Sequence, residues 1–205
     1  MIGKGGERFQ HLLSEYVLEE DCFERVVTLA GVDVSYRGTT ASAACVAMEE
    51  GVVTQEVSWT GKPPFPYISS FFALREFPLI YEVVKRVSCD LLFVHGHGRA
   101  HPRKFGLACH TGLYFQRPTI GVAGRVLVGE ADTSFVDWTY LYYQNDVVGA
   151  LVRTHRRMNP VVVSVGHMIS LESAVEYTRL SVVNHKFPEV LRLAHVLSRK
   201  SLDPR

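Results

Sequence analysis

Four of the nine histidines in this 205-residue chain fall within sixteen positions, at His95, His97, His101 and His110, inside the stretch LLFVHGHGRAHPRKFGLACHTGLYF (91–115). An imidazole can bind a transition metal or carry a proton near neutral pH, although a loop histidine is more often exposed or hydrogen-bonded. His95 and His97 are two apart and share a face if the apolar strand before them continues. Two acidic residues sit where an acid is expensive. Asp33 interrupts the apolar run VVTLAGVDVSY (26–36), and Glu76 lies within FFALREFPLIYEVV (71–84). An unpaired carboxylate in such a run is costly, so Asp33 must point out of the core or meet a cation, and Arg75 and Arg99 are available partners. If Asp33 and Glu76 converge, their mutual repulsion favours a divalent cation, and hard oxygen ligands suit Mg²⁺ or Mn²⁺.

The elements that must place these groups can be read from periodicity. Phe9, Leu12, Leu13, Tyr16 and Val17 mark one face of an opening helix over about 9–25. Three consecutive strands follow, 26–36, 42–48 and 52–59, the last two joined as a hairpin around Glu49, Glu50 and Gly51. TGKPPFPYISS (60–70) holds three prolines and is expected to be an extended surface loop. A helix over about 70–87 contains Pro78, which predicts a break or kink near Phe77. DLLFV (90–94) is an apolar strand. A glycine-rich loop, a helix over about 103–115 and the strand TIGVA (119–123) make it the start of a parallel crossover. Strands are expected in WTYLYY, VVGALVR and PVVVSVG, and helices near 170–180 and 187–199. The result is an α/β sheet that begins antiparallel and continues parallel, with helices on both faces. Ligands of such sheets gather at the carboxyl ends of strands, where Asp33, His95 and His167 are expected.

The totals set outer bounds. The length fits one domain, 1–205, and apolar residues at 47% with charged residues at 21% are ordinary for a globular chain. A net charge of +1 means that a nucleic-acid surface must come from local clusters such as RAHPRK and RTHRRMN. No stretch approaches the ~18 apolar residues of a membrane span, and the start has no secretory core, so no membrane partner and a cytoplasmic location are expected. Cys22, Cys45, Cys89 and Cys109 form no C-x-x-C pair and read as thiols in a reducing compartment. His155, His185 and His195 belong to no constellation.

Five blocks, GVDVSY (31–36), PYISSFFALREFP (66–78), GHGRAHPRKFGLACHTGL (96–113), RPTIGVA (117–123) and VSVGHMISLESAVE (163–176), resemble in order and spacing those of the endonuclease V family. The resemblance covers roughly 26–180. It implies a ribonuclease H-like fold and metal-dependent cutting of inosine-containing DNA or RNA on the 3′ side of the lesion. It assigns Asp33 as a metal-binding aspartate, Glu76 as the catalytic glutamate, and Tyr67, with Ile68 beside it, as the strand-separating wedge. Gly96 and Gly98 fall in the loop lining the inosine pocket. His101 and Arg103 are expected to contact nucleic acid and His167 to lie near the phosphate. Two positions depart from the family pattern: His95 stands where an aspartate is expected, and Gly124 where a lysine is expected.

Three readings follow. The first is an inosine-directed nuclease, weakened by the two departures, with Asp33, Glu76 and His95 holding Mg²⁺ or Mn²⁺. The second is a relative that binds inosine-containing or damaged nucleic acid without cutting. The third is a new metal site shaped by His95, His97 and His101.

Overall fold

The computed structural model describes residues 3–203. Its centre is an eight-stranded sheet in the order β3-β2-β1-β4-β5-β8-β7-β6. The first three strands, β1 (Thr28–Arg37), β2 (Thr40–Glu49) and β3 (Val52–Gly61), form an antiparallel meander. β4 (Leu91–His95) runs parallel to β1, and β5 (Thr119–Ala123) runs parallel to β4, as the crossover pattern predicts. Beyond β5 the sheet turns antiparallel again through β8 (Val161–His167), β7 (Asp146–Val152) and the edge strand β6 (Trp138–Tyr143). β4, β5 and β8 are almost wholly buried, which is why they read as continuous apolar runs.

Helices cover both faces. α2 (Phe72–Val84) and α3 (Leu107–Phe115) pack on one side, where Leu79, Ile80, Val83 and Leu107 meet Ala30, Val32, Leu92 and Val94. α4 (Leu171–Leu180) and α5 (Glu189–Lys200) pack on the other, where Val175, Val190 and Leu191 meet Phe93, Ile120 and Val122. α5 lies so close to β1 that a Cβ on Gly31 would meet the Val190 carbonyl carbon at 2.5 Å. Only glycine allows that approach, and it fixes which β1 residues look toward α5.

Two boundary expectations change. The opening helix α1 is Gly3–Ser14, not 9–25, because the following segment is drawn into tertiary hydrogen bonds: Met168 donates to the Leu18 carbonyl and Cys22 to the Met168 carbonyl. The helix expected from 103 begins at Leu107, since residues 99–106 are committed to turns whose backbone groups bond β8 and each other. Pro78 does not break α2, whose residues on either side of it, from Ala73 to Val84, stay packed in the core.

Candidate active site

Pairing between β1 and β4 ends at Val32 and Val94, so Asp33 and His95 occupy the next step, side by side. Strand alternation puts Asp33 on the same face as Gly31, toward α5. Asp33 is only 7% exposed, and both of its oxygens are used. His95 Nδ1–H donates to Oδ1 at 2.7 Å, and His195 Nδ1–H, arriving from α5, donates to Oδ2 at 2.7 Å. Burial alone would raise the Asp33 pKa, but the bonds and charges of the two imidazoles outweigh it and hold the carboxyl below its ordinary value. Neither expected arginine is involved: Arg75 lies over the Tyr36 ring and donates to the Phe65 carbonyl, and Arg99 pairs with Glu19 at 2.8 Å.

Glu76 approaches from the opposite face of the sheet, on α2, and is 4% exposed. Tyr36 O–H donates to its Oε1 at 2.9 Å. Burial pushes the Glu76 pKa well above its ordinary value; the Tyr36 bond and Arg75 oppose this, and the negative charge of Asp33 adds to it. Two acidic groups thus share one low-dielectric region, a pairing that a cation would relieve. Among the described residues no three His, Cys, Asp or Glu side chains stand ready as a metal-binding group. The donor chemistry nevertheless fits a divalent cation: two carboxylates, one of them with a raised pKa, and two imidazoles whose bonds to Asp33 use Nδ1 and not Nε2.

Beside this cluster lies a cavity of about 380 Å³, within the range of small-ligand sites, with Tyr67, His95, Gly96, His97, His101 and Gly124 among its walls. Tyr67 is 68% exposed at its rim and meets Phe72 edge-on, with ring centroids 6.0 Å apart. Ile68 is half-buried, and its carbonyl accepts the Phe71 N–H at the start of α2. His97 Nε2–H donates to the Arg125 carbonyl at 2.9 Å, and burial lowers its pKa.

Gly98, Arg103 and His167 lie outside the cavity wall, and His101 lines it while its ring is bonded within the protein. Gly98 is a packing glycine outside the cavity wall: its N–H donates to Ser164 Oγ, and a Cβ there would meet the Val165 carbonyl oxygen at 2.0 Å. Arg103 is buried, with Nε donating to Gln10 Oε1 at 2.5 Å and Nη2 to the Ser70 carbonyl at 2.7 Å. His101 is buried beside it, its Nε2–H donating to the same Ser70 carbonyl at 3.1 Å. Burial, with the Arg103 charge, drives the His101 pKa to about 4. His167 is 1% exposed and pairs with Thr119 at the start of β5, whereas His95 pairs with Val122 near its end. Because β8 is antiparallel to β5, its carboxyl end lies at the far end of the sheet from Asp33.

Two participants were not singled out from the sequence. His195 was set aside, yet it belongs to the Asp33 cluster; the available signal was its place at the margin of the α5 stripe Val190, Leu191, Ala194 and Ser198. Gln10 donates to the Ser70 and Phe105 carbonyls from α1, and nothing local marks it.

The family model described as Endonuclease V matches residues 10–196. The chain is 47% identical over 180 residues to an endonuclease V of Methanopyrus kandleri, covering 85% of this chain and 79% of that one. The fold superposes with a TM-score of 0.88 on the crystal structure of the endonuclease V of Streptomyces avermitilis, at 31% identity and covering 97% and 92% of the two chains. A Ciona intestinalis endonuclease V solved in complex with a 23mer DNA containing an inosine followed by a ribo-adenosine superposes with a TM-score of 0.84, at 25% identity and covering 95% and 94%. No described helix is long and apolar enough to cross a membrane.

Proposed function

This chain belongs to the endonuclease V family, and from that premise we propose that it is a metal-dependent nuclease cutting inosine-containing DNA or RNA at the phosphodiester 3′ to the lesion. The observation that carries the reading is the buried Asp33 carboxylate bonded to His95, a wall of the cavity rimmed by Tyr67, with the buried Glu76 bonded to Tyr36 of the same strand as Asp33. An extruded base entering that cavity leaves a gap in the stack, and the exposed Tyr67 ring can fill it. Gly96 carries no side chain, so its backbone lies open to the purine edge. Asp33, Glu76 and His95 would hold Mg²⁺ or Mn²⁺, with His195 orienting the Asp33 carboxylate from behind. When bound, the cation supplies activation of the attacking water and neutralises charge that develops on the phosphate. Imidazole in place of a carboxylate shifts preference toward Mn²⁺.

The binding-only reading draws on one specific observation: both Asp33 oxygens are occupied by His95 and His195, so ligation requires those bonds to be exchanged. The histidine-only metal site has no such support, since His95, His97 and His101 each direct a ring nitrogen to a different protein acceptor. The deciding experiment is cleavage of single- and double-stranded DNA and RNA oligonucleotides with one inosine, in Mg²⁺ and in Mn²⁺, beside a Glu76→Gln variant. Cutting favoured by Mn²⁺ and absent in the variant is expected. Inosine-selective binding with no cutting in either metal would move the assignment to the binding protein.

A further inference from the structure

We propose that the Lys186 ammonium is the cation that meets the phosphate to be cut, delivered from the segment before α5. This rests on the nuclease reading above. A second cavity, of about 260 Å³, lies on the α5 side of the Asp33 cluster and is lined by His95, His195, Lys186 and Phe187 among others. His95 lines both this cavity and the Tyr67 cavity, so it marks the seam between them. Gly124 stands on the Tyr67 side of that seam. A Cβ built on Gly124 would lie 3.5 Å from Lys186 Nζ and 3.5 Å from the Phe187 ring, which places the ammonium at the junction itself. A nucleotide with its base in the first cavity and its backbone toward Asp33 must pass this junction.

Arg125, next to Gly124, is exposed and lines the Tyr67 cavity, and three other nearby cations are engaged elsewhere. Arg192 is held by Glu189 at 2.5 Å, Arg99 by Glu19, and Arg75 by the Phe65 carbonyl and the Tyr36 ring. No described carboxylate lies within salt-bridge distance of Lys186, so its charge is not already neutralised. Its position is nevertheless held. The Lys186 carbonyl accepts from Thr154 Oγ1 at 2.7 Å, the ammonium lies 5.0 Å from the Phe187 ring centroid, and that ring packs on His95 with centroids 4.9 Å apart. A cation fixed in advance beside developing negative charge is what phosphoryl chemistry uses.

The same geometry links the two departures noted in the sequence. Phe187 touches both His95 and the open space at Gly124, and a long side chain at 124 would enter the volume that Lys186 and Phe187 fill. The absence of a side chain at 124 and the presence of Lys186 are therefore one arrangement.

The test measures single-turnover cleavage, and separately equilibrium binding of an inosine oligonucleotide in Ca²⁺, for the natural protein, Lys186→Met, and the Lys186→Met, Gly124→Lys double variant, each checked for an unchanged melting temperature. Lys186→Met is expected to cut about 100-fold more slowly. Binding should weaken by no more than about tenfold, as for loss of one phosphate contact. The double variant should recover most of the rate. A Lys186→Met variant cutting at the natural rate overturns the proposal, and so does a loss that lysine at 124 does not restore, because that marks Lys186 as structural. A natural protein that binds but does not cut overturns the nuclease reading and the role of Lys186 with it, an outcome distinct from a cutting natural protein with an unimpaired variant.

Discussion

His95 and His101 leave the same short loop, yet one serves an acid and the other a backbone. His95 joins His195 on Asp33, where three titratable groups are bonded to one another beside open cavities. His101 joins Gln10 and Arg103 on the Ser70 carbonyl, where every polar contact is spent on holding the chain. Ser70 has φ of 59°, a left-handed conformation unusual for a residue with a Cβ, and the three donors keep it there. Since Ser70 connects the Tyr67 loop to α2, this second cluster sets where the wedge and the Glu76 helix begin. His95 faces both cavities beside Asp33, whereas His101, although it lines the Tyr67 cavity, spends both ring nitrogens on the backbone of Ser70 and Arg103.

The largest expected effect is on the reaction side. Glu76→Gln should reduce cleavage by at least about 100-fold while inosine binding persists, measured by single-turnover kinetics and a gel shift; a variant that still cuts would remove Glu76 from the chemistry. On the holding side, Arg103→Ala strands Gln10 Oε1 and part of the Ser70 carbonyl. It should cost about 3 kcal/mol of stability, read as a melting temperature lower by roughly 6–12 °C. An unchanged melting temperature would show that the clamp is not a clamp. Tyr67→Ala sharpens the contrast from the other direction: its ring is exposed, so stability should hold, while inosine binding weakens by about 1–3 kcal/mol.

The smallest effect is a pH dependence. The His101 pKa is about 4 in the folded protein and near 6.5 when unfolded, so the unfolded state takes up the proton first. Stability from this residue is complete above pH 6.5 and declines as pH falls toward 4. Between pH 6.5 and 5 the loss should reach up to about 2 kcal/mol, and His101→Gln should flatten that slope in urea titrations. His110, also depressed to about 4 by burial, contributes with the same sign in both proteins. A slope unchanged by His101→Gln would show that His101 does not carry the dependence.

Much of the fold was legible because the signals were local. β5 runs from Thr119 to Ala123 as expected, and the antiparallel start with a parallel β1-β4-β5 continuation follows from hairpin turns and the crossover. Local signals fell short where a distant segment intervened. Residues 15–25 carry helical spacing but bond to the residues after β8, and the direction of β8, which puts His167 at the opposite end of the sheet from Asp33, is set by its pairing with β5.

By itself the sequence determined the residue types: an acid in an apolar strand, an acid in an apolar helix, an aromatic in a proline-rich loop, and the family to which these blocks belong. Each is a property of a short segment, where side-chain period and turn chemistry act over a few residues. Only the tertiary structure decided which groups meet. His195 reaches Asp33 across 162 positions, Gln10 reaches Phe105 across 95, and Lys186 comes to Gly124 from the segment before another helix. Those meetings depend on strand direction and on the close approach of α5 at Gly31, which are settled by packing the whole sheet at once rather than by any one stretch of chain.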